Sequence, residues 1–155
     1  MALLAKVITV SDGVADGTRE DRSGAALVEH LGAAGFEVVG HVVCADGVDS
    51  VAAALRAASE GFFGLIVTTG GTGFGPRDLT PEGTAVVIER EAPGLAEAMR
   101  LISPLGRLSR ARAGAVGGAL VLNTPGSTAG CIECLDAVLD VVPHVLELLA
   151  GEKPH

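Results

Sequence analysis

A chain of 155 residues fits one domain, and a composition that is 48% hydrophobic but 3% aromatic, with 22 glycines and no Trp or Tyr, calls for a core of Ala, Val, Leu and Ile packed around tight turns, as in many α/β proteins. The formal net charge of −8 argues against broad nucleic-acid or anionic-membrane binding, which needs a basic surface; an anionic ligand would depend on local donors or a bound cation. The three cysteines, Cys44, Cys131 and Cys134, are an odd number without a secretory signal, which disfavours a disulfide framework and places the chain in the cytoplasm.

Leu3 to Val10 is nearly all apolar and rich in β-branched residues, as expected of a strand covered on both faces in a parallel sheet. It contains Lys6 and is too short to span a bilayer. Ser11 and Asp12 end it, on the sheet edge where open α/β folds bind ligands. Gly13 to Arg22 reads as a polar loop, either plain surface or a ligand lid. Ser23 and Gly24 open a helix with Leu27, Val28 and Leu31 on one face and Gly35 as its stop. Val38 to Cys44 returns as a second strand, with Asp46 at its exit as Asp12 is at the first. Asp49 or Ser50 caps an alanine-rich helix that repeats Val51, Leu55 and Ala58 and ends near Gly61. Phe62 and Phe63 are placed under the following strand.

The stretch from Leu65 to Glu82 organises the rest. A short apolar run breaks into Gly70, Gly71, Gly73 and Gly75, with Thr68, Thr69 and Thr72 between them. Glycines let a backbone approach bound oxygens, and the threonines add hydroxyl donors suited to phosphates. No Gly-Lys-Ser/Thr follows and the dinucleotide spacing is missing, so neither familiar phosphate motif applies. Asp78 supplies a carboxylate, and Thr80-Pro81-Glu82 reads as a helix start with Thr80 as N-cap and Pro81 at the first helical position. With parallel strands, Asp12, Asp46 and Asp78 converge on one rim.

Glu82 to Glu91 reads as helical, with Val86, Val87 and Ile88 as its apolar side, until Pro93-Gly94 breaks it; Leu95 to Ile102 forms a further helix. Arg107, Arg110 and Arg112 are the only basic cluster. They either neutralise a phosphate-bearing ligand or pair with surface acids. Ala113 to Val116 and Ala119 to Leu122 form a hairpin about Gly117-Gly118, adding antiparallel strands to a mainly parallel sheet. Asn123 to Thr128 is a second polar loop, in which Ser127 or Thr128 caps a helix whose free amides can also receive an anion. Cys131 and Cys134 have the spacing of a redox or zinc pair, but no second pair exists and they lie in an amphipathic helix, so buried thiols are expected. Pro143 restarts a final helix, Gly151 to His155 is a frayed tail, and His30, His41, His144 and His155 show no ligand spacing.

Taken together, these motifs resemble the MogA/MoaB family of molybdenum cofactor biosynthesis proteins, which is related to the nucleotidyl domain of fusions such as gephyrin. The markers are Ser11-Asp12, Asp21 with Ser23-Gly24, Thr68 to Gly73, Pro76 to Glu82, Leu108-Ser109-Arg110 and Pro125-Gly126-Ser127. The resemblance covers nearly the whole chain. It implies a single molybdopterin-binding domain over residues 1–155, folded as a three-layer α/β/α sandwich with a mainly parallel sheet and a short antiparallel addition, and assembled as a homotrimer. The implied reaction is magnesium-dependent transfer of AMP from ATP to the terminal phosphate of molybdopterin, releasing pyrophosphate. By the same resemblance Asp46 and Asp78 are the catalytic aspartates and Mg2+ ligands. Ser11, Asp12, Thr69, Gly70, Gly71, Thr72 and Gly73, with Pro125, Gly126 and Ser127, would bind substrate. A downstream molybdenum-insertion protein is the implied partner. Ala129 and Gly130 stand where relatives often carry a lysine, so phosphate affinity would be lower or drawn from Arg107, Arg110 or Arg112. The alternative within the resemblance is a non-catalytic MoaB-type trimer that binds molybdopterin or a partner enzyme.

Overall fold

Period-two alternation along three central strands sorts their side chains into two apolar layers. In a computed structural model, which describes residues 2–154, these strands are β1 (Leu4–Val10), β3 (Gly64–Thr69) and β6 (Ala119–Thr124). Val7, Val67 and Leu122 fall in one layer, and Ile8, Ile66 and Val121 in the other. The first layer packs under α2 (Arg22–Ala33), α5 (Pro93–Arg100), α6 (Thr128–Asp136) and α7 (Val142–Leu149); the second packs under α3 (Val48–Ser59) and the end of α4 (Thr80–Val87). The result is the expected three-layer sandwich. Among the described residues no helix is long and apolar enough to cross a membrane.

The six-stranded sheet runs β2-β1-β3-β6-β5-β4, where β2 is Glu37–Cys44, β4 is Arg90–Glu91 and β5 is Ala113–Val116. β2, β1, β3 and β6 are parallel, and the β5–β6 hairpin and the short β4 add the antiparallel part. Register matters for function: Thr9 stands opposite Thr69, and Thr69 opposite Thr124. Three strands therefore end level, and the loops that follow them leave from one edge of the sheet.

Several local expectations are corrected. Gly13 to Arg22 is not all loop, because Asp12–Ala15 forms a one-turn helix, α1, whose first amides are held by the Ser11 hydroxyl accepting from Val14 N at 3.2 Å. Helix α2 starts at Arg22 with Asp21 as N-cap, accepting from Gly24 N at 3.0 Å. Gly47, not Asp49 or Ser50, occupies the N-cap of α3 at φ 117°, and the Ser50 hydroxyl donates back to the Ala45 carbonyl. Thr80 is inside α4 rather than capping it; its hydroxyl donates to the Gly70 carbonyl at 2.8 Å. Helix α4 stops at Val87, short of Glu91, because Arg90 and Glu91 pair with β5, and Val86 is exposed. Pro93 opens α5, where its missing N–H is no loss. Phe62 is buried as expected, but Phe63 is 58% exposed and lies over Gly118. Of the expected tail, His155 lies outside the described residues.

Candidate active site

The loops after β1, β3 and β6 meet over a buried polar floor. Asn123 donates to the hydroxyls of Thr68 and Thr84, each at 3.0 Å, and accepts from Arg112 N at 3.0 Å. The Thr124 hydroxyl donates to the Thr68 carbonyl at 2.7 Å. Every polar group named here is paired, so the floor is rigid without unmet desolvation. Above it, Gly70 N donates to the Thr124 carbonyl at 3.0 Å, and Gly70 sits at φ 106° where a Cβ would overlap the Val10 carbonyl. Only glycine lets the loop pass so close to the end of β1.

A cleft of about 1160 Å³ opens beside these loops. Ser11, Thr69, Gly70, Gly71, Thr72 and Gly73 line it from the first two loops, Pro125, Gly126 and Ser127 from the third, and Asp46 and Asp78 from the rim. Their side chains are not equally free. The Thr69 hydroxyl bridges Ser23 Oγ and the Pro125 carbonyl, both at 2.9 Å, and so ties two walls together. Ser127 caps α6 by accepting from Gly130 N at 3.1 Å. A Cβ at Gly130 would overlap that same Ser127 oxygen, so a side chain at 130 would require the Ser127 hydroxyl to move from this cap position.

Asp12 does not line the cleft, but it builds the rim. Its backbone N donates to Asp46 Oδ2 at 2.9 Å while Asp46 N returns a bond to Asp12 Oδ1 at 3.1 Å. Arg77 forks both oxygens of Asp12 at 3.0 Å and donates to the Asp46 carbonyl at 2.9 Å. That guanidinium holds the Asp12 carboxyl below its usual range. Burial raises the pKa of Asp46, and the neighbouring charges of Asp12 and Asp78 push in the same direction. Asp78 accepts from Gly75 N at 2.9 Å, which folds the glycine loop around its own carboxylate.

The arginine cluster divides. Arg110 pairs with Glu82 at 2.5 Å and Arg112 with Glu91 at 2.7 Å, while Arg107 donates to the Pro104 carbonyl. None of the three lines the cleft, so the surface-acid reading holds for Arg110 and Arg112. The arginines on the cleft wall are Arg19, Arg22 and Arg100, which sequence reasoning passed over. Arg19 and Arg22 were visible as charges just after the first strand; Arg100 had no signal, since it reads as an ordinary helix terminus. Also missed was His41, 3.0 Å from Asp21 and 3.2 Å from the Thr9 hydroxyl, which braces the N-cap of α2. Cys131 is buried in α6 and its thiol is pushed up to about 11 by burial. Cys134 lines the cleft half-buried, its thiol also raised by burial.

A family model described as "Probable molybdopterin binding domain" matches residues 6–144. The chain belongs to this molybdopterin-binding domain family. Within the family it is 36% identical over 152 residues to a protein of Helicobacter pylori named molybdopterin adenylyltransferase, covering 94% of this chain and 86% of that one. A protein of the same name from Escherichia coli is 32% identical, with 94% and 84% coverage. The crystal structure titled molybdopterin biosynthesis enzyme MoaB from Thermus thermophilus superposes with a TM-score of 0.89 at 44% identity, covering 97% of this chain and 98% of that one. The fold of the family is therefore the fold of this chain from end to end.

The rim suits a magnesium ion. Asp12, Asp46 and Asp78 with Arg77 sum to a formal charge of −2 when ionised, and a divalent cation would balance it. Among the described residues no three acidic, His or Cys side chains are grouped to enclose a metal alone. Magnesium asks for less: one or two carboxylates, with waters and substrate phosphates completing its shell.

Proposed function

We propose that this protein acts in molybdenum cofactor biosynthesis as a molybdopterin adenylyltransferase. A terminal phosphate oxygen of molybdopterin attacks the α-phosphorus of ATP; the bond from that phosphorus to the bridging oxygen of the β-phosphate breaks, and pyrophosphate leaves with the electron pair. The observation that carries this reading is the meeting, in one cleft, of a glycine loop with two carboxylates, Asp46 and Asp78. Its relatives' names agree with it.

Each part of the site has a task in that reaction. Backbone amides of 71–73 bind phosphate oxygens at close range, the Gly70 amide being spent on the Thr124 carbonyl. The Ser127 hydroxyl keeps its own proton free for a second anion while its oxygen caps α6. Asp46 and Asp78 would hold Mg2+, which supplies positive charge to the phosphates; they must therefore be ionised. Positioning two anionic substrates in line, and holding charge that spreads in the transition state, is the main demand of phosphoryl chemistry. We extend the proposal to a homotrimer, in keeping with an unpaired β2 edge that exposes Val39, Val42 and Val43, to a cytoplasmic location, and to delivery of the product to a molybdenum-insertion protein.

A second reading, a non-catalytic molybdopterin-binding trimer, is favoured by one observation: the phosphate charge that Ala129 and Gly130 do not supply is not replaced in the cleft by Arg107, Arg110 or Arg112. Magnesium-dependent formation of adenylylated molybdopterin and pyrophosphate by the purified protein decides between them. Product from the wild type and none from Asp46→Asn supports the enzyme. Molybdopterin binding without pyrophosphate release selects the second reading.

A further inference from the structure

All three guanidinium nitrogens of Arg110 bond to the glycine loop and the start of α4. Nε donates to the Gly73 carbonyl at 2.9 Å, Nη2 to the Asp78 carbonyl at 2.6 Å, and Nη1 to Glu82 Oε2 at 2.5 Å. Its backbone N donates to the Thr72 carbonyl at 2.9 Å, and Phe74 lays its ring 5.4 Å from the guanidinium carbon. Three carbonyls of the 72–78 segment thus converge on a residue from a distant part of the chain. A guanidinium is a planar fork, so it fixes the Gly73 and Asp78 carbonyls relative to one another in a way that a lysine's single ammonium does not. Glu82 is its counter-charge, and Arg110 holds that carboxyl below its usual range.

The geometry of the peptide bond carries the consequence. In a planar trans peptide the N–H points opposite to the C=O. With the Thr72 and Gly73 carbonyls drawn to Arg110, the amides in the same two peptide units, those of Gly73 and Phe74, face away from it. Two successive amides turned to one side make a concavity that accepts an anion. Gly73 lines the cleft, whereas Arg110 and the exposed Phe74 do not. We propose that Arg110 is a positioning residue: its backbone N holds the Thr72 carbonyl and its guanidinium those of Gly73 and Asp78, which turns the Gly73 amide toward a phosphate in the cleft and sets Asp78 there, without touching substrate itself. This rests on the adenylyl-transfer reading for its catalytic consequence, but its effect on anion binding stands apart from that reading.

The test compares wild type, Arg110→Gln, Arg110→Lys and Glu82→Gln in two assays, each expressed per folded protein from thermal unfolding: turnover, and pyrophosphate binding by calorimetry. Arg110→Gln is expected to lower kcat by about 100-fold, the scale of an ångström-level misplacement, with KM for ATP changed far less. Its pyrophosphate Kd is expected to rise by about tenfold, equivalent to about 1.4 kcal/mol. Arg110→Lys restores only part of both, and Glu82→Gln shifts both in the same direction by less. Equal pyrophosphate affinity in wild type and Arg110→Gln overturns the proposal, as does a full rescue by lysine. If the wild type binds pyrophosphate but makes no product, the adenylyl-transfer reading fails, and the binding comparison still decides the clamp. Should Arg110→Gln not fold, Arg110→Lys and Glu82→Gln carry the same comparison.

Discussion

Substituting Gly71 by Ala probes how tightly the loop is built. Gly71 sits at φ 70°, and a Cβ there would overlap the Thr80 hydroxyl and lie 3.1 Å from Asp46 Oδ1. The left-handed backbone alone costs an alanine about 1–2 kcal/mol. Thr80 is fully buried and bonded to the Gly70 carbonyl at 2.8 Å; displacing it strands a buried hydroxyl at about 1–3 kcal/mol. The sum is about 3 kcal/mol, which in a domain of this size lowers Tm by about 6–12 °C. Thermal unfolding of a double-mutant cycle separates the two contributions. On a Thr80→Ala background the overlapping atom is gone, so Gly71→Ala should then cost only the backbone part, leaving a coupling of about 2 kcal/mol. Additive losses across the cycle would refute the steric argument, and an unchanged Tm in the single mutant would refute both parts.

Four further outcomes follow from the site. Asp78→Asn keeps volume but removes charge from the cleft, so turnover should fall by at least about 100-fold while circular dichroism and Tm stay near wild type; undiminished turnover would sink the assignment. Asp46→Asn should do the same to turnover yet raise Tm at pH 7 without magnesium. Folding raises the Asp46 pKa above its ordinary 3.8, so the ionised form opposes folding as pH rises past that value, and the gain from Asn should fade below it. A lower Tm for Asp46→Asn at pH 7 would contradict this. Cys44 and Cys131, both pushed up to about 11 by burial, should alkylate slowly at pH 8, with rates rising about tenfold per pH unit towards that value. Fast labelling of Cys131 in the native protein would mean that α6 opens. Replacing Cys131 and Cys134 together by Ala should leave turnover per folded protein near wild type and release no metal, as mass spectrometry of the dialysed protein would show.

The layers and the mainly parallel sheet are legible in the sequence because apolar runs such as 65–67 and 119–122 have only one place to go, the buried middle of a sheet; the strand order is not. The rim was legible for a related reason: Asp12, Asp46 and Asp78 each follow an apolar strand, and parallel strands put such exits on one edge. Caps were harder. Ser, Thr and Asp all satisfy a helix start, so choosing among Asp21, Ser23 and Gly24, or between Leu79 and Thr80, needs to know where each side chain is pulled by distant partners, as Thr80 is by Gly70. The end of α4 was misplaced because Arg90 and Glu91 gain backbone partners from β5, a non-local reward that local propensity does not contain. The arginines were left undecided between ligand and surface, since pairing with Glu82 and Glu91 depends on chain segments about 20 to 30 residues away.

The sheet order also dictates when the cleft comes into being. Its three loops follow strands that are adjacent in space but lie at residues 4–10, 64–69 and 119–124 in the chain. During synthesis, which proceeds at about 5–20 residues per second, β1, α2, β3 and α5 are all made before β6, α6 and α7. The Gly70 loop then lacks its Thr124 partner, and Thr69 lacks Pro125. Until β6 is made the cleft lacks one wall, so no ligand finds a complete pocket on an unfinished chain. The same long-range closure that slows folding ties the appearance of a binding site to the completion of the fold.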